Sequence, residues 1–282
     1  MKTRTFLIVL LLLALSTSPL PADSRKGFFF VAEYFFSLDL STKLDLTSEV
    51  FDFGELSLEG DLGLESDPTQ ERFRGGYRFG KRSEIELSYL SITRSVNAVV
   101  TRTFEHVLLA QPVDVSFDVF TRFDTEDIEF SYKFYFVARD AFDLGLSIGL
   151  HQIAVDFAFD GVASAALPGI PDLEFDGAES ASIDVPLPVV GLHLAARLGE
   201  RVVLRGHLKL FDASYEDYDG TYSEFQASLE FRVWNSLSLG AGIYVAELDA
   251  EDTAAERGVG DFEILGIDLD RDGVFVFVRL GK

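Results

Sequence analysis

No cysteine occurs anywhere in the 282 residues. That excludes a disulfide-stapled scaffold and removes the lipid-modified cysteine a lipoprotein anchor needs. Basic residues are scarce: 24 Lys and Arg stand against 47 Asp and Glu, a formal net charge of −23. Such an excess of acid argues against nucleic acid as a partner and against direct contact with anionic headgroups. Long apolar runs are missing too. Beyond the first 22 residues, no stretch approaches the roughly 18 apolar residues of a transmembrane helix. No His-Glu-x-x-His is present, so a zinc-protease motif is absent.

What is there begins with a targeting segment. Lys2 and Arg4 precede the apolar run Phe6–Leu15, and Ser16–Ala22 is small and contains proline. This is the layout of a cleavable signal peptide, expected to span residues 1–22 and to leave one domain over 23–282. Its removal takes the net charge from −23 to −25.

The mature chain is dominated by period-2 alternation, the signature of half-buried strands. Its clearest stretch is Ile183–Trp234. Val190, Leu192, Leu194, Ala196 and Leu198 alternate with Gly191, His193, Ala195 and Arg197. After Gly199-Glu200-Arg201, Leu204, Leu208 and Leu210 oppose Arg205, His207 and Lys209. Phe225, Ala227, Leu229, Phe231 and Val233 then oppose Glu224, Gln226, Ser228, Glu230 and Arg232. Further strands are expected over Gly27–Leu40, Glu71–Gly80, from Glu84, over Asp114–Val137, Phe142–Phe159, Leu237–Ala250 and Asp261–Leu280.

The expected fold is all-β, an antiparallel up-and-down transmembrane β-barrel of about ten strands, with eight or twelve as alternatives. Short turns at Lys81–Ser83, Ala138–Ala141, Gly199–Arg201 and Asn235-Ser236 fall at every second connection. Long or acidic connections, Thr47–Pro68, Asn97–Pro112, Asp160–Ser182 and Glu251–Gly260, occupy most of the others. Short periplasmic turns and long outer loops are how outer-membrane barrels are built. Phe79, Phe136, Phe142, Phe231 and Trp234 flank the short turns, as an aromatic girdle would. Alternation alone does not distinguish inside from outside, and a soluble periplasmic barrel binding an apolar ligand shares it. Strand length favours the membrane. So do Gly145, Gly149, Gly191, Gly240 and Gly242, which share the charged face and would make room in a narrow lumen.

The segments Leu58–Leu64, Tyr77–Gly80 with Glu86–Tyr89, Gly145–His151, Pro186–Leu192, Tyr218–Gly220 and Leu239–Tyr244, in that order, resemble a family of bacterial outer-membrane β-barrel proteins of unassigned role, close in style to small porin-like barrels. The resemblance implies a place, the outer membrane of a Gram-negative-type bacterium, and no reaction or ligand. It implies outer-membrane lipid, lipopolysaccharide and the assembly machinery as partners of a monomer.

The charged face is expected to fill the lumen with a network of Arg78, Glu86, Glu129, Lys133, His193, Arg205, His207, Lys209, Glu230 and Arg232. Turn positions set registers that place His193 opposite His207, Lys209 opposite Glu230, His207 opposite Arg232 and Arg78 opposite Glu86. The two histidines admit a metal or proton-linked reading, but Arg205, Lys209 and Arg232 nearby repel a cation. Asp268-Leu269-Asp270-Arg271-Asp272-Gly273 has the opening letters of a calcium loop; its twelfth position is Arg279, where a bidentate Glu belongs. Acids of the long connections (Asp172, Glu174, Asp176, Glu179, Asp249, Glu251, Asp252) could bridge divalent cations to lipopolysaccharide, with a solvated rim as the simpler reading. A surface protease would need His106 with Glu105, Asp114, Asp118 or Asp124, which is no recognised arrangement. No cofactor and no enzymatic activity are expected. The job read from the chain is structural, adhesive or a narrow conductance, with a lipid A- or protein-modifying barrel enzyme as the alternative.

Overall fold

The computed structural model describes residues 26–47, 52–105, 112–165, 173–215, 218–252 and 263–281. The expected signal segment and His106 lie outside them. The strands are β1 (Gly27–Thr47), β2 (Asp52–Ser57), β3 (Thr69–Arg78), β4 (Ser83–Glu105), β5 (Pro112–Ala138), β6 (Phe142–Ala165), β7 (Leu173–Arg197), β8 (Val202–Tyr215), β9 (Tyr218–Trp234), β10 (Leu237–Asp252) and β11 (Glu263–Gly281). Every pairing is antiparallel between neighbours, and β11 pairs with β1, which closes the sheet into a barrel. The barrel has ten staves, because β2 and β3 share one. β1 pairs with β3 over Gly27–Phe36 and with β2 over Lys43–Thr47.

The short turns sit together at one rim. Leu198 N–H donates to Val202 O at 2.8 Å and Arg139 N–H to Phe142 O at 2.8 Å. Gly199 has φ +94°, a left-handed conformation that only glycine adopts without strain. This is the periplasmic rim, and both described ends of the chain lie on it.

Each side chain keeps its face along a stave, but the chemistry of the faces inverts at one height. Near the periplasmic rim the outward face is apolar: Phe130, Phe134, Leu146, Ile148, Leu192, Leu229 and Ile243 are exposed, Ile148 at 64%. Side chains of this kind in a closed belt face lipid. Higher up, the outward face turns polar. Glu126, Asp156, Asp184, Glu247 and Asp249 are exposed, while Phe123, Ile153, Val155, Ile183, Val185 and Leu248 are buried inside. A stave therefore leaves lipid between Leu150 and Gln152 on β6 and between Val245 and Glu247 on β10. A membrane strand needs about 9–11 residues; β5, β6 and β7 have 27, 24 and 25. The surplus forms a water-exposed tower with an apolar core.

This tower corrects two expected loops. Asn97–Pro112 and Asp160–Ser182 are largely ladder: Glu105 pairs with Pro112 and Ala165 with Leu173. The hairpins run on because each strand's partner runs on with it, although the lipid-type alternation has ended. Thr47–Pro68 holds both a short strand and an inward fold. After β2, residues 58–68 leave the wall and enter the barrel, where Leu58, Leu62 and Leu64 join the tower core with Leu40, Leu44 and Phe123.

Candidate functional site

The lumen at the height of the lipid belt is filled from two sides. On the β10–β11–β1 side, Phe29, Val31, Phe35, Tyr244, Phe275 and Phe277 make an inward apolar cluster. A Cβ on Gly240 would lie 2.2 Å from the Phe277 ring. The lumen-facing glycine thus makes room for an aromatic ring and not, as the sequence suggested, for a charged side chain.

The remaining wall, from β3 to β9, supplies charge together with Glu33 of β1. Glu33 accepts from Arg72 Nε at 2.6 Å and from Arg74 Nη2 at 2.5 Å. Arg72 reaches across the lumen to Glu224 at 3.3 Å and donates to Gln226 Oε1 at 2.9 Å. Glu224 is the hub. It also accepts from Lys209 Nζ at 3.0 Å, from the Tyr222 hydroxyl at 3.1 Å and from His207 Nε2 at 2.6 Å. Lys209 bridges to Glu129 on the opposite wall at 2.5 Å. Lys133 holds Glu86 at 2.8 Å, and Arg205 holds Glu230 at 2.5 Å. His151 and Asp127 pair at 2.5 Å on the upper side of the network. Towards the periplasm, Arg78 and Arg197 share Asp143 at 3.3 and 3.1 Å. Ions taken out of water this far are tolerable only with partners, and here each carboxylate has at least one.

Of the residues expected in the lumen, Arg78, Glu86, Glu129, Lys133, His193, Arg205, His207, Lys209 and Glu230 are there. Arg232 is exposed beside the periplasmic rim. His193 does face His207, with ring centroids 5.7 Å apart, and His193 Nε2 lies 2.8 Å from Ser147 Oγ. Two registers differ from expectation. Lys209 opposes Glu224 and His207 opposes Gln226, because the strands meet at Tyr215↔Tyr218 and not at Asp219-Gly220. Arg78 opposes Glu84, because β4 begins at Ser83, directly after a turn over residues 79–82.

The letters of the calcium loop fall on a strand. Asp268, Asp270 and Asp272 lie on β11, alternate residues of one extended strand, which cannot curl around one ion. Asp268 faces Lys43 at 3.5 Å. Among the described residues, no three His, Asp or Glu side chains are disposed to hold a metal. Of the acids proposed for lipopolysaccharide bridging, Asp249 and Glu251 point outward on β10.

Sequence reading missed Glu33, Arg72, Arg74, Asp127, Asp143 and the hub Glu224 as partners. Strand registers give neighbours only, and these contacts cross the lumen. It also counted Gly-x-Ser-x-Gly as absent, although Gly145-Leu146-Ser147-Ile148-Gly149 spells these letters of a nucleophile elbow. The elbow needs a strand-to-helix turn, and this run lies inside β6.

No protein-family model and no curated protein sequence matches the chain. Among solved structures it resembles the outer membrane protease OmpT of Escherichia coli, with a TM-score of 0.56 at 12% identity over 95% of this chain and 99% of that one. The attachment invasion locus protein Ail of Yersinia pestis gives 0.32 at 10% identity, over 89% and 99%. The outer membrane protein OprG of Pseudomonas aeruginosa gives 0.31 at 12%, over 91% and 98%. The OmpT likeness concerns the fold alone. With the lipid belt and the periplasmic turns already described, it makes this chain a closed β-barrel of the outer-membrane type, at home in the outer membrane.

Proposed function

We propose that the protein is a non-conducting outer-membrane barrel with a structural or adhesive role, whose working surface is the tower it holds above the membrane. One observation carries this: the lumen is blocked twice, by different chemistry. In the lipid belt, ion pairs spanning the bore occupy it; Lys209 alone ties β8 to both β5 and β9. In the tower, the folded-in leucines fill it, with Leu58 fully buried. A ten-stave barrel lies near the size at which side chains fill the interior. A cavity of about 60 Å³ sits between Arg74, Lys133, Arg205 and Arg279 in the periplasmic half.

The barrel is then a mount. Its outward tower faces carry Glu126, Asp156, Asp184 and Glu247, a solvated acidic surface. The histidine–carboxylate pairs His151 with Asp127 and His207 with Glu224 sit inside the barrel, the first against Tyr222 and the second within the lumen ion-pair network, and lend no support to a proteolytic reading of the kind OmpT's name suggests.

The test is planar-bilayer recording on the full mature chain, alongside mass analysis of lipid A from cells expressing it. A flat current trace and unchanged lipid A are expected. Stable ohmic steps would return the reading to a narrow conductance. A lipid A mass shift that disappears with a single-residue variant would make it an enzyme.

A further inference from the structure

The wall of the tower has a seam. Above Phe36↔Thr69, β1 has no strand beside it on the β3 side until Lys43 meets Ser57. β4 pairs with β3 only as far as Ser91, and β2 pairs with β1 alone. On the sides of β1 and β4 that face each other, six residues of β1 and the start of the upper half of β4 therefore have no strand beside them among the described residues. The segment that would fill this gap is the one folded inside.

Extending the existing registers gives that segment a defined place. The β1–β3 ladder, carried past the β1 bulge at Ser37/Asp39, sets Asp39 opposite Asp67 and Asp45 opposite Asp61. The β3–β4 ladder, carried upward, sets Glu65 opposite Asn97. On this stave even-numbered residues point in and odd-numbered ones out, as buried Gln70 and Arg72 and exposed Thr69 and Glu71 show. In the wall, Leu58, Leu62 and Leu64 would face the tower core, and Glu59, Asp61, Glu65 and Asp67 would face water. That is the pattern of β6, β7 and β10 in the tower. In the present state Asp45 pairs with Glu55. The two registers differ by six residues, and an even slip keeps every side chain on its own face.

We propose that residues 58–68 are a two-position element: folded in, they plug the tower; slipped by six residues, they become wall. The plugged position is held by specific bonds. Glu59 accepts from Thr42 N–H at 2.8 Å and from the Arg94 guanidinium, Leu58 N–H donates to Thr42 O at 2.9 Å, and Arg94 Nη2 donates to Thr42 Oγ1 at 2.7 Å. The slipped position gives up this clamp and gains ladder hydrogen bonds to β1 and β4. Nothing in this depends on the barrel being non-conducting in the plugged state; it concerns how the tower closure is released.

The absence of native cysteine makes the exchange directly readable. Asp45→Cys with Glu55→Cys traps the plugged register, and Asp45→Cys with Asp61→Cys traps the slipped one, since cross-strand Cα atoms about 4.5–5.5 Å apart suit a disulfide. Both pairs are to be oxidised in the full mature chain folded in vesicles and scored by mass spectrometry, with heat-modifiable migration as the check on folding. The 45–55 bond should form quickly and the 45–61 bond slowly but to completion. Glu59→Gln should speed the 45–61 bond by roughly tenfold or more, because it weakens the clamp. Failure of the 45–61 bond to form in folded protein, with or without Glu59→Gln, while 45–55 forms, overturns the two-position element and leaves the non-conducting reading untouched. Equal rates for 45–61 in the two backgrounds would remove Glu59 as its latch and overturn the proposal as stated.

Discussion

Arg94 on β4 donates its guanidinium to the carboxylate of Glu59, and through it the tower wall holds the segment folded inside. The Arg94 side chain is 2% exposed and that of Glu59 14%. Removing one member of a buried pair strands the other, at about 3–5 kcal/mol. Arg94→Gln is therefore expected to lower the unfolding free energy by about 3 kcal/mol. Urea unfolding in detergent measures it. Adding Glu59→Gln should recover part of the loss, so the double variant is more stable than the sum of the two singles implies. Strict additivity would show that the two groups do not act on each other.

The lumen gives a parallel case inside the membrane. Lys209 is the cation shared by Glu129 and Glu224, all three nearly unexposed. Lys209→Met should destabilise the barrel by about 3–5 kcal/mol, and Glu129→Gln added to it should restore part of this by removing the stranded carboxylate. The readout is the temperature at which heat-modifiable migration is lost. If Lys209→Met alone migrates and melts like the parent, the network is ornament to a barrel held by its ladder.

How much of this was legible in the chain depends on height. In the lipid belt the outside is apolar and the inside polar, so alternation such as Val190, Leu192 and Leu194 against His193 marked strands and faces at once. His193↔His207 followed from the Gly199 turn. Above the belt the phase inverts, and Ile183, Val185 and Leu187 point inward where Val190 and Leu192 point outward. Two out-of-phase halves on one strand cancel as a periodic signal, which is why residues 160–165 of β6 and 173–182 of β7 read as loop. Partners such as Arg72 with Glu224 were unreadable for another reason: they are 152 residues apart and meet across the bore, where no ladder relates them.

Gly240 tests how tightly the aromatic side of the lumen is packed. Its missing Cβ would meet the Phe277 ring at 2.2 Å and Leu229 O at 2.6 Å. Gly240→Ala should cost about 1–3 kcal/mol through overpacking. Phe277→Leu in the same chain should return part of that by vacating the ring's edge. Chemical denaturation of the single and double variants separates the two contributions: a double variant no better than Gly240→Ala alone would place the strain at the backbone contact with β9.

The boundary between lipid and water can be tested on a single strand. Ile148 and Asp156 point outward from the same face of β6, on either side of the change at Leu150–Gln152. Arginine on the lipid face near the bilayer midplane costs about 2–4 kcal/mol, and near zero in the aqueous zone. Ile148→Arg should therefore destabilise the vesicle-folded barrel by about 2–4 kcal/mol. Asp156→Arg should be neutral or slightly stabilising, because Asp156 stands directly opposite Asp124 on β5 and the change replaces like charges with opposite ones. The contrast isolates environment, since backbone, face and introduced side chain are shared. Equal penalties at both positions would mean that lipid reaches the tower; no penalty at either would mean that the exposed belt is not a membrane belt.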